Sequence, residues 1–306
     1  MARGGPVTSI AGAGRTLGAA IDTFLAQPRP ATTARTYAGT LGRMAGVLGR
    51  DRLLADVTDE EMAEAAVVLW GALAARTWNR HLATVGSFLS WCRRHGWPAG
   101  DLELRADRRA EPDDDTKAIP LPELERLWAR PDIPLRERAL WRLLYDSAGR
   151  AEEALGLDVP DLDLANRRAR ARTKGGHVRP LHFQTGAARL LARLTAGREV
   201  GPVFLTARRA AAHRVTAAAD LDPASGRARL SYEMAEQLFK EHSGGKTLHQ
   251  LRHSRLTHLG DQNVSAPLLM AISGHKRLAT LQQYVQPSQG AVAALMAATD
   301  PDRRGG

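Results

Sequence analysis

Residues 167–183 read RRARARTKGGHVRPLHF and contain the clearest strand pattern of the 306-residue chain. Two short runs, Arg167–Thr173 and Val178–Phe183, flank the tripeptide Lys174-Gly175-Gly176. A glycine pair between two such runs favours a tight turn, because glycine readily adopts backbone conformations that other residues avoid. The stretch therefore predicts a β-hairpin with Lys174 at its tip.

Helical patterns surround this hairpin on both sides. Before it, apolar residues at helical spacing predict helices near residues 120–127 and 135–147, and Gly149 separates the second from a short helix at 151–155. Residues 206–230 show little periodicity and indicate a mobile loop or an insertion. The fold class is therefore mainly α with a small antiparallel β-sheet. The helices predicted after the hairpin are Thr185–Thr195, Tyr232–His242, Thr247–Leu259, Ala266–Ser273, Ala279–Val285 and Gln289–Ala298.

The first hundred residues predict a separate helical domain. Apolar residues recur at helical spacing from Leu17 to about Trp97, which indicates a bundle of about four helices. The chain then changes composition, and residues 101–117 hold 4 basic and 7 acidic residues. We therefore predict a domain over residues 15–98, a linker over 99–117 and a second domain over 118–306.

The charge of the chain favours a polyanionic partner. There are 43 Lys and Arg against 33 Asp and Glu, so the net charge is +10. Such a balance is typical of proteins that bind nucleic acid or an anionic membrane surface. No apolar run is long enough to span a bilayer, and no basic amphipathic helix has a strong apolar face, so we predict no membrane partner. A single cysteine, Cys92, excludes an intramolecular disulfide and a cysteine zinc cluster, and we expect a cytoplasmic protein.

Several polar residues stand at positions where the backbone would hold them firmly. Thr247 and Gln250 fit a capping box at the start of a helix, and His249 and Arg252 then share one face of it. Gly274 is placed to end the next helix in a left-handed conformation, which puts His275 at a rigid corner. Each motif has an ordinary structural explanation when it is considered alone.

The order and spacing of these motifs resemble those of the tyrosine recombinases, the phage-integrase family. Tyr145–Leu157, YDSAGRAEEALGL, resembles the first-arginine box of that family, and His249–His253, HQLRH, resembles its second box. Ser273-Gly274-His275 with Tyr284 nine residues later resembles the third box. Lys174 before the glycine pair is similar to the hairpin lysine. The helical unit over residues 15–98 is similar to the core-binding domain of the family.

The resemblance implies how a scissile phosphate would be held. Arg150 and Arg252 would contact its non-bridging oxygens, and His249 and His275 would add hydrogen bonds. Glu153 would support this group of side chains from behind without taking part directly.

The resemblance also implies which residues make and break bonds. Tyr284 would attack the phosphorus and form a 3′-phosphotyrosine, and His249 would help to remove its proton. Lys174 would act as general acid for the departing 5′ oxygen. The working assembly would be a homo-tetramer on two DNA sites, each built of inverted recognition half-sites. The sequence does not identify an accessory directionality protein.

The chain departs from the family pattern at three places. Gln250 replaces a common aspartate, which questions the usual buried hydrogen bond there. Ser273 replaces a frequent leucine, so the packing under His275 is expected to differ. The stretch 206–230 is longer than a minimal member needs. Separately, we expect the segment before residue 15 to be too short for the extra arm-binding domain that some members carry.

Nucleotide and metal chemistry are not predicted. Gly244-Gly245-Lys246-Thr247 resembles the end of a phosphate-binding loop, but Lys240 stands where its first glycine is required. No spaced set of carboxylates suggests a two-metal nuclease. We therefore expect catalysis without metal, ATP or another cofactor.

Exposed basic residues would hold duplex DNA. The residues predicted to contact DNA are Arg167, Arg168, Arg170, Arg172 and Arg179 along the hairpin, and Arg35, Arg43, Arg76 and Arg80 in the first domain.

Two alternatives to a recombinase remain. One is a type IB topoisomerase, which uses the same chemistry to relax supercoils, and the other is a DNA-binding regulator with an inactive site.

Overall fold

A computed structural model describes residues 14–97, 105–111, 118–173, 176–209, 216–278, 280, 281, 296, 297 and 299. The chain divides into two compact units, Met1–Asp115 and Thr116–Gly306. The predicted general acid Lys174 and the predicted nucleophile Tyr284 lie outside the described residues, as do nearly all residues of the two predicted helices after residue 278.

The first unit is a bundle of four helices within its described part. They are α1 (Leu17–Leu25), α2 (Ala31–Leu48), α3 (Asp59–Trp70) and α4 (Ala75–Arg94), with a short 3-10 turn at Leu54–Asp56. The third helix starts with a capping box, in which Thr58 and Glu61 exchange side-chain and backbone hydrogen bonds. Helix α4 supplies much of the core, which includes the buried side chains Trp78, Leu82, Val85, Phe88 and Leu89.

Residues 105–111 belong to this first unit. The indole Nε1 of Trp78 donates to the carbonyl of Asp107 at 2.9 Å. Asn79 donates from Nδ2 to the carbonyl of Arg109 and accepts a hydrogen bond from its backbone N–H, both at 2.9 Å. The described part of the segment predicted as a linker is thus hydrogen-bonded along α4.

The second unit is built around one buried helix. Its helices are α5 (Leu121–Ala129), α6 (Leu135–Ser147), α7 (Ala151–Leu155), α8 (Thr185–Leu194), α9 (Tyr232–Ser243), α10 (Leu248–Asp261) and α11 (Ala266–Ser273). Helix α6 is covered by α8 on one side and α10 on another, and Leu140, Trp141, Leu143 and Leu144 are almost fully buried. The burial of four large apolar side chains on one helix stabilises the unit by roughly 1.5–3 kcal/mol each.

The hairpin forms as predicted and gains a third strand. Strands β1 (Leu162–Asp163), β2 (Arg168–Arg172) and β3 (Val178–His182) make an antiparallel sheet in the order β1-β2-β3. In β2 the arginines face outward and the alanines inward, because side chains alternate along a strand. Ala169 pairs with Leu181, and Ala171 pairs with Arg179.

Residues 206–230 are not a simple loop. Strands β4 (Leu205–Arg209) and β5 (Arg227–Arg229) pair as a second antiparallel sheet. Arg229 attaches this sheet to the rest of the unit through Asp158 and Asp220, each at 2.7 Å, and through the carbonyls of Leu155 and Leu157. Paired strands therefore occupy part of a stretch whose weak periodicity gave no sign of them.

The fold class is confirmed as mainly α with small antiparallel sheets. Within the described segments no helix is both long and apolar enough to cross a bilayer.

Candidate active site

Helix α10 presents two of the predicted site residues. Its first turn is fixed by the predicted capping box, in which Gln250 Oε1 accepts a hydrogen bond from the backbone N–H of Thr247 at 2.8 Å. The side-chain amide that replaces the family's aspartate thus keeps a defined role. His249 lies exposed on this helix, whereas Arg252, three residues later, is 3% exposed.

The guanidinium of Arg252 connects three elements of the second unit. Its Nη1 donates to the carbonyl of Ser273 at 2.9 Å and to that of Ala148. Its Nη2 donates to Nε2 of His275 at 2.9 Å. Because Ala148 ends α6 with a left-handed φ of 46°, its carbonyl is turned toward Arg252 at the break before Arg150. The ends of α6 and α11 therefore meet α10 at this guanidinium.

His275 stands at the corner that the sequence predicted. Gly274 ends α11 with φ +69°, the left-handed conformation that glycine adopts most easily. The Nδ1 of His275 lies 2.8 Å from Ser273 Oγ, and that hydroxyl donates to the carbonyl of Leu269 at 2.6 Å. Since Nε2 faces a guanidinium donor, we assign the ring proton to Nδ1, which then donates to Ser273.

Burial and positive charge keep the His275 ring neutral. Burial lowers the pKa of His275 to about 4, and the charges of Arg252, Arg150, Arg179 and His249 act in the same direction. Of these four side chains, Arg252 is hydrogen-bonded to His275. In this arrangement both ring nitrogens are already hydrogen-bonded within the protein.

Glu153 holds two arginines from one buried position. Its side chain is 4% exposed. Oε1 accepts from Nη1 of Arg150 at 3.0 Å, and Oε2 accepts from the backbone N–H of Arg150 at 3.0 Å and from Nη2 of Arg179 at 2.6 Å. Burial alone would raise the pKa of Glu153, but the hydrogen bonds from Arg179 and Arg150 outweigh it and lower the pKa. The carboxylate is therefore ionised at neutral pH.

Arg150 is the accessible cation of the group. Its side chain is 48% exposed, in contrast to Arg252. Among the residues that the structure describes, only its Nη1 has a hydrogen-bond partner, so Nε and Nη2 are available to a ligand. Arg150 and Arg252 thus both act on His275, Arg252 through a hydrogen bond and Arg150 through its charge.

The structure brings together four of the six predicted catalytic residues, Arg150, His249, Arg252 and His275, with Glu153 behind them. It also sets Arg179 apart from the other arginines predicted to contact DNA. We predicted DNA contact for this residue, but its side chain is 14% exposed and its guanidinium is bound to Glu153 and to the carbonyl of Ile272. Strand alternation contains the missing signal, because Arg179 shares its face of β3 with the buried Leu181.

The other arginines predicted to bind DNA are exposed. Arg168 and Arg170 project from the outer face of β2, with side chains 54% and 68% exposed, and each also pairs with a nearby aspartate. In the first unit, burial lowers the pKa of His81, and the charges of Arg43 on α2 and Arg80 on α4 act in the same direction. The remaining members of the predicted set, Arg35, Arg76, Arg167 and Arg172, are exposed as well.

Comparison with known proteins identifies the family. The model of the phage integrase family matches residues 118–290. Tyrosine recombinase XerC of Mycobacterium bovis (strain BCG / Pasteur 1173P2) is 30% identical over 284 residues, covering 84% of this chain and 88% of the relative. Tyrosine recombinase XerD of Mycobacterium leprae (strain TN) is 35% identical over 182 residues, covering 56% of this chain and 55% of the relative.

Solved structures show the same fold at lower identity. The Tn1549 transposon integrase in complex with circular intermediate DNA superposes with a TM-score of 0.66 at 15% identity, covering 92% of this chain and 99% of that one. The XerH site-specific recombinase bound to palindromic difH substrate gives 0.61 at 18% identity, covering 88% and 80%. The clustered arginines, the ordered boxes and these matches lead to one conclusion: the chain belongs to the phage integrase family of tyrosine recombinases, enzymes that cleave and rejoin DNA.

Proposed function

We propose that this protein is a site-specific recombinase that cuts and rejoins duplex DNA through a covalent 3′-phosphotyrosine at Tyr284. The observation that supports this most directly is the convergence of Arg150 and Arg252 around a neutral His275, with the ionised Glu153 behind Arg150. The proposal follows from what such a group of side chains can do to a phosphodiester.

The arginines would counter the charge that makes a phosphodiester resist attack. A phosphodiester is an anion, and the transition state places more negative charge on its non-bridging oxygens. Donors that are already held in place stabilise that charge without having to reorganise, and removal of one typically costs about 100-fold or more in rate. Arg252 is fixed by three acceptors of the protein, and Arg150 is fixed through Glu153.

The bonds would change in one exchange at phosphorus. The phenolate oxygen of Tyr284 forms a bond to phosphorus while the bond from phosphorus to the 5′ oxygen breaks, and Lys174 gives that oxygen its proton. A tyrosine has a pKa of about 10, so holding it ionised at neutral pH costs roughly 4 kcal/mol, part of which the surrounding positive charge offsets. His249, which is exposed on α10, would accept the phenolic proton.

Rejoining would need neither ATP nor metal. The phosphotyrosine conserves the energy of the broken phosphodiester, so the attack of a 5′ hydroxyl reverses the step. His275 would act mainly on Arg252, because both of its ring nitrogens are engaged inside the protein.

Each unit would contribute to duplex binding. Exposed arginines on α2 and α4 and on the outer face of β2 are suited to the phosphate backbone. A relative bound to a palindromic substrate supports a site of inverted half-sites. We further propose a homo-tetramer on two such sites, acting in the cytoplasm.

Covalent capture tests the chemistry. Duplexes enriched from a random-sequence pool by the wild-type protein are resynthesised with a nick beside each candidate scissile phosphate and incubated in EDTA. A protein–DNA adduct that survives denaturation is expected from the wild type, and Tyr284→Phe is expected to bind equally well and give none. Wild-type protein without any adduct would reduce the chain to a DNA-binding regulator, and an adduct from Tyr284→Phe would show that another residue is the nucleophile.

Plasmids separate recombination from relaxation. A recombinase should exchange strands between two copies of the selected site and leave plasmids without a site supercoiled. A topoisomerase would relax both kinds of plasmid.

A further inference from the structure

Arg179 occupies an unusual position for an arginine of a surface hairpin. It lies on the inner face of β3, opposite Ala171 of β2, and only 14% of its side chain is exposed. The small alanine across the sheet leaves room for the arginine to pass beneath the hairpin. Its neighbours on the outer face, Arg170 and Arg172, are exposed.

The guanidinium of Arg179 connects the first-arginine box with the helix that precedes His275. Its Nη2 and Nε reach both oxygens of Glu153, at 2.6 and 3.3 Å. Its Nη1 donates to the carbonyl of Ile272 at 3.1 Å, in the last turn of the helix before His275. It also packs against Gly274, where an added Cβ would lie 3.2 Å from Arg179 Nε.

These contacts determine how the carboxylate oxygens of Glu153 are shared between Arg179 and Arg150. Two guanidiniums share one buried carboxylate, and the more buried of them, Arg179, takes both oxygens. Arg150 consequently donates to Glu153 from one guanidinium nitrogen, Nη1, and its other two nitrogens can donate to a ligand. Without Arg179, the carboxylate would face Arg150 alone, and an arginine facing one carboxylate tends to form two parallel hydrogen bonds with it. That pairing would neutralise Arg150 and leave fewer of its donors for a ligand.

We propose that Arg179 is a positioning residue for cleavage: it compensates the charge of Glu153, so that Arg150 keeps its free donors and its charge, and it holds His275 at a set distance from them. This inference rests on the proposed recombinase function. It concerns the rate of cleavage, and it predicts little effect on the affinity for DNA because Arg179 is not on the exposed face.

A double-mutant cycle tests the proposal, because a charge-compensating arginine is needed only while Glu153 is a carboxylate. The rate of adduct formation is measured with excess protein on the selected nicked duplex for wild type, Arg179→Met, Glu153→Gln and the double variant. We expect Arg179→Met to lower the rate by roughly tenfold, the size seen for groups coupled in one hydrogen-bond network. In the Glu153→Gln background the same change should cost less than about threefold.

Further variants separate this role from packing. Arg179→Lys, which restores the charge, should recover part of the rate, and Arg193→Met, which removes an exposed arginine from α8, should leave it unchanged. Circular dichroism and DNA affinity are measured for every variant, so that loss of fold is recognised. An equal cost of Arg179→Met in both backgrounds, or no cost in either, would overturn the proposal. A wild type that forms no adduct would overturn the recombinase function and this inference together.

Discussion

Arg252 donates a hydrogen bond to Nε2 of His275 across 2.9 Å, and this contact orients both side chains. The arginine is almost fully buried, and the histidine is neutral. A neutral acceptor leaves the charge of the guanidinium intact, whereas a carboxylate in its place would cancel it. The site therefore holds Arg252 rigidly while the guanidinium keeps its full positive charge.

Replacement of this arginine should separate cleavage from binding. In Arg252→Lys the single ammonium cannot reach Ala148, Ser273 and His275 together, so the transition state loses a fixed donor. We expect adduct formation to fall by about 100-fold or more. Gel-shift affinity for the selected duplex should change far less. Equal loss of affinity and cleavage would instead assign Arg252 to DNA binding.

Gly274 and Gly244 form a matched pair for measuring how closely Arg179 packs against Gly274. Both end a helix with φ +69°, but an added Cβ at Gly274 would meet Arg179, whereas nothing lies within 4 Å at Gly244. Gly244→Ala should lower the free energy of unfolding by about 1–2 kcal/mol from backbone strain alone. Gly274→Ala should lower it further and should also slow adduct formation. Denaturant unfolding of the two variants would contradict this view if both losses were equal.

The pH dependence of stability should carry a contribution from His275. The pKa of His275 falls from 6.5 to about 4 on folding. Between pH 4 and pH 6.5 the histidine is therefore protonated in the unfolded chain and neutral in the folded protein. Stability from this group is therefore complete above pH 6.5 and is lost as the pH falls toward 4. The Tm of the wild-type protein should fall further between pH 7 and pH 5 than the Tm of His275→Gln. The same loss in both proteins would show that the ring is not held neutral.

The surface of the first unit can be tested through its response to salt. Each arginine that neutralises a phosphate adds about one to the slope of log affinity against log salt. Arg80→Ala should lower both the affinity and that slope on any duplex. Arg50→Ala is the control, because Arg50 is exposed but already paired with Asp22 at 2.6 Å. Anisotropy titrations at several KCl concentrations give both slopes, and an unchanged slope for Arg80→Ala would remove it from the DNA surface.

Periodicity was sufficient to predict the helices that support the site. Leu140, Leu143 and Leu144 marked the buried face of α6, and the capping pair of Thr247 and Gln250 marked the start of α10. These signals are local, since helical spacing and caps depend on residues within one or two turns. The ordered boxes around Arg150, His249 and His275 then indicated that distant segments meet.

Features that depend on long-range pairing could not be predicted in the same way. Strands β4 and β5 are separated by residues 210–226, and neither has a strong alternating pattern of its own. The contacts of residues 105–111 with Trp78 and Asn79 are side chain to backbone and have no periodicity to reveal them. The inward placement of Arg179 was not predicted because the arginines of the hairpin were treated as one set, although alternate positions face opposite sides. Lys174 and Tyr284, outside the described residues, remain predictions from the sequence.

The bond from Arg252 to the carbonyl of Ala148 joins residues 104 positions apart. During synthesis, a nascent chain that has emerged only as far as β5 already contains Arg150, Glu153 and Arg179, whereas Arg252 and His275 emerge later because they follow β5 in the sequence. The site is therefore assembled only late in synthesis, after the arginine that Glu153 holds has already left the ribosome.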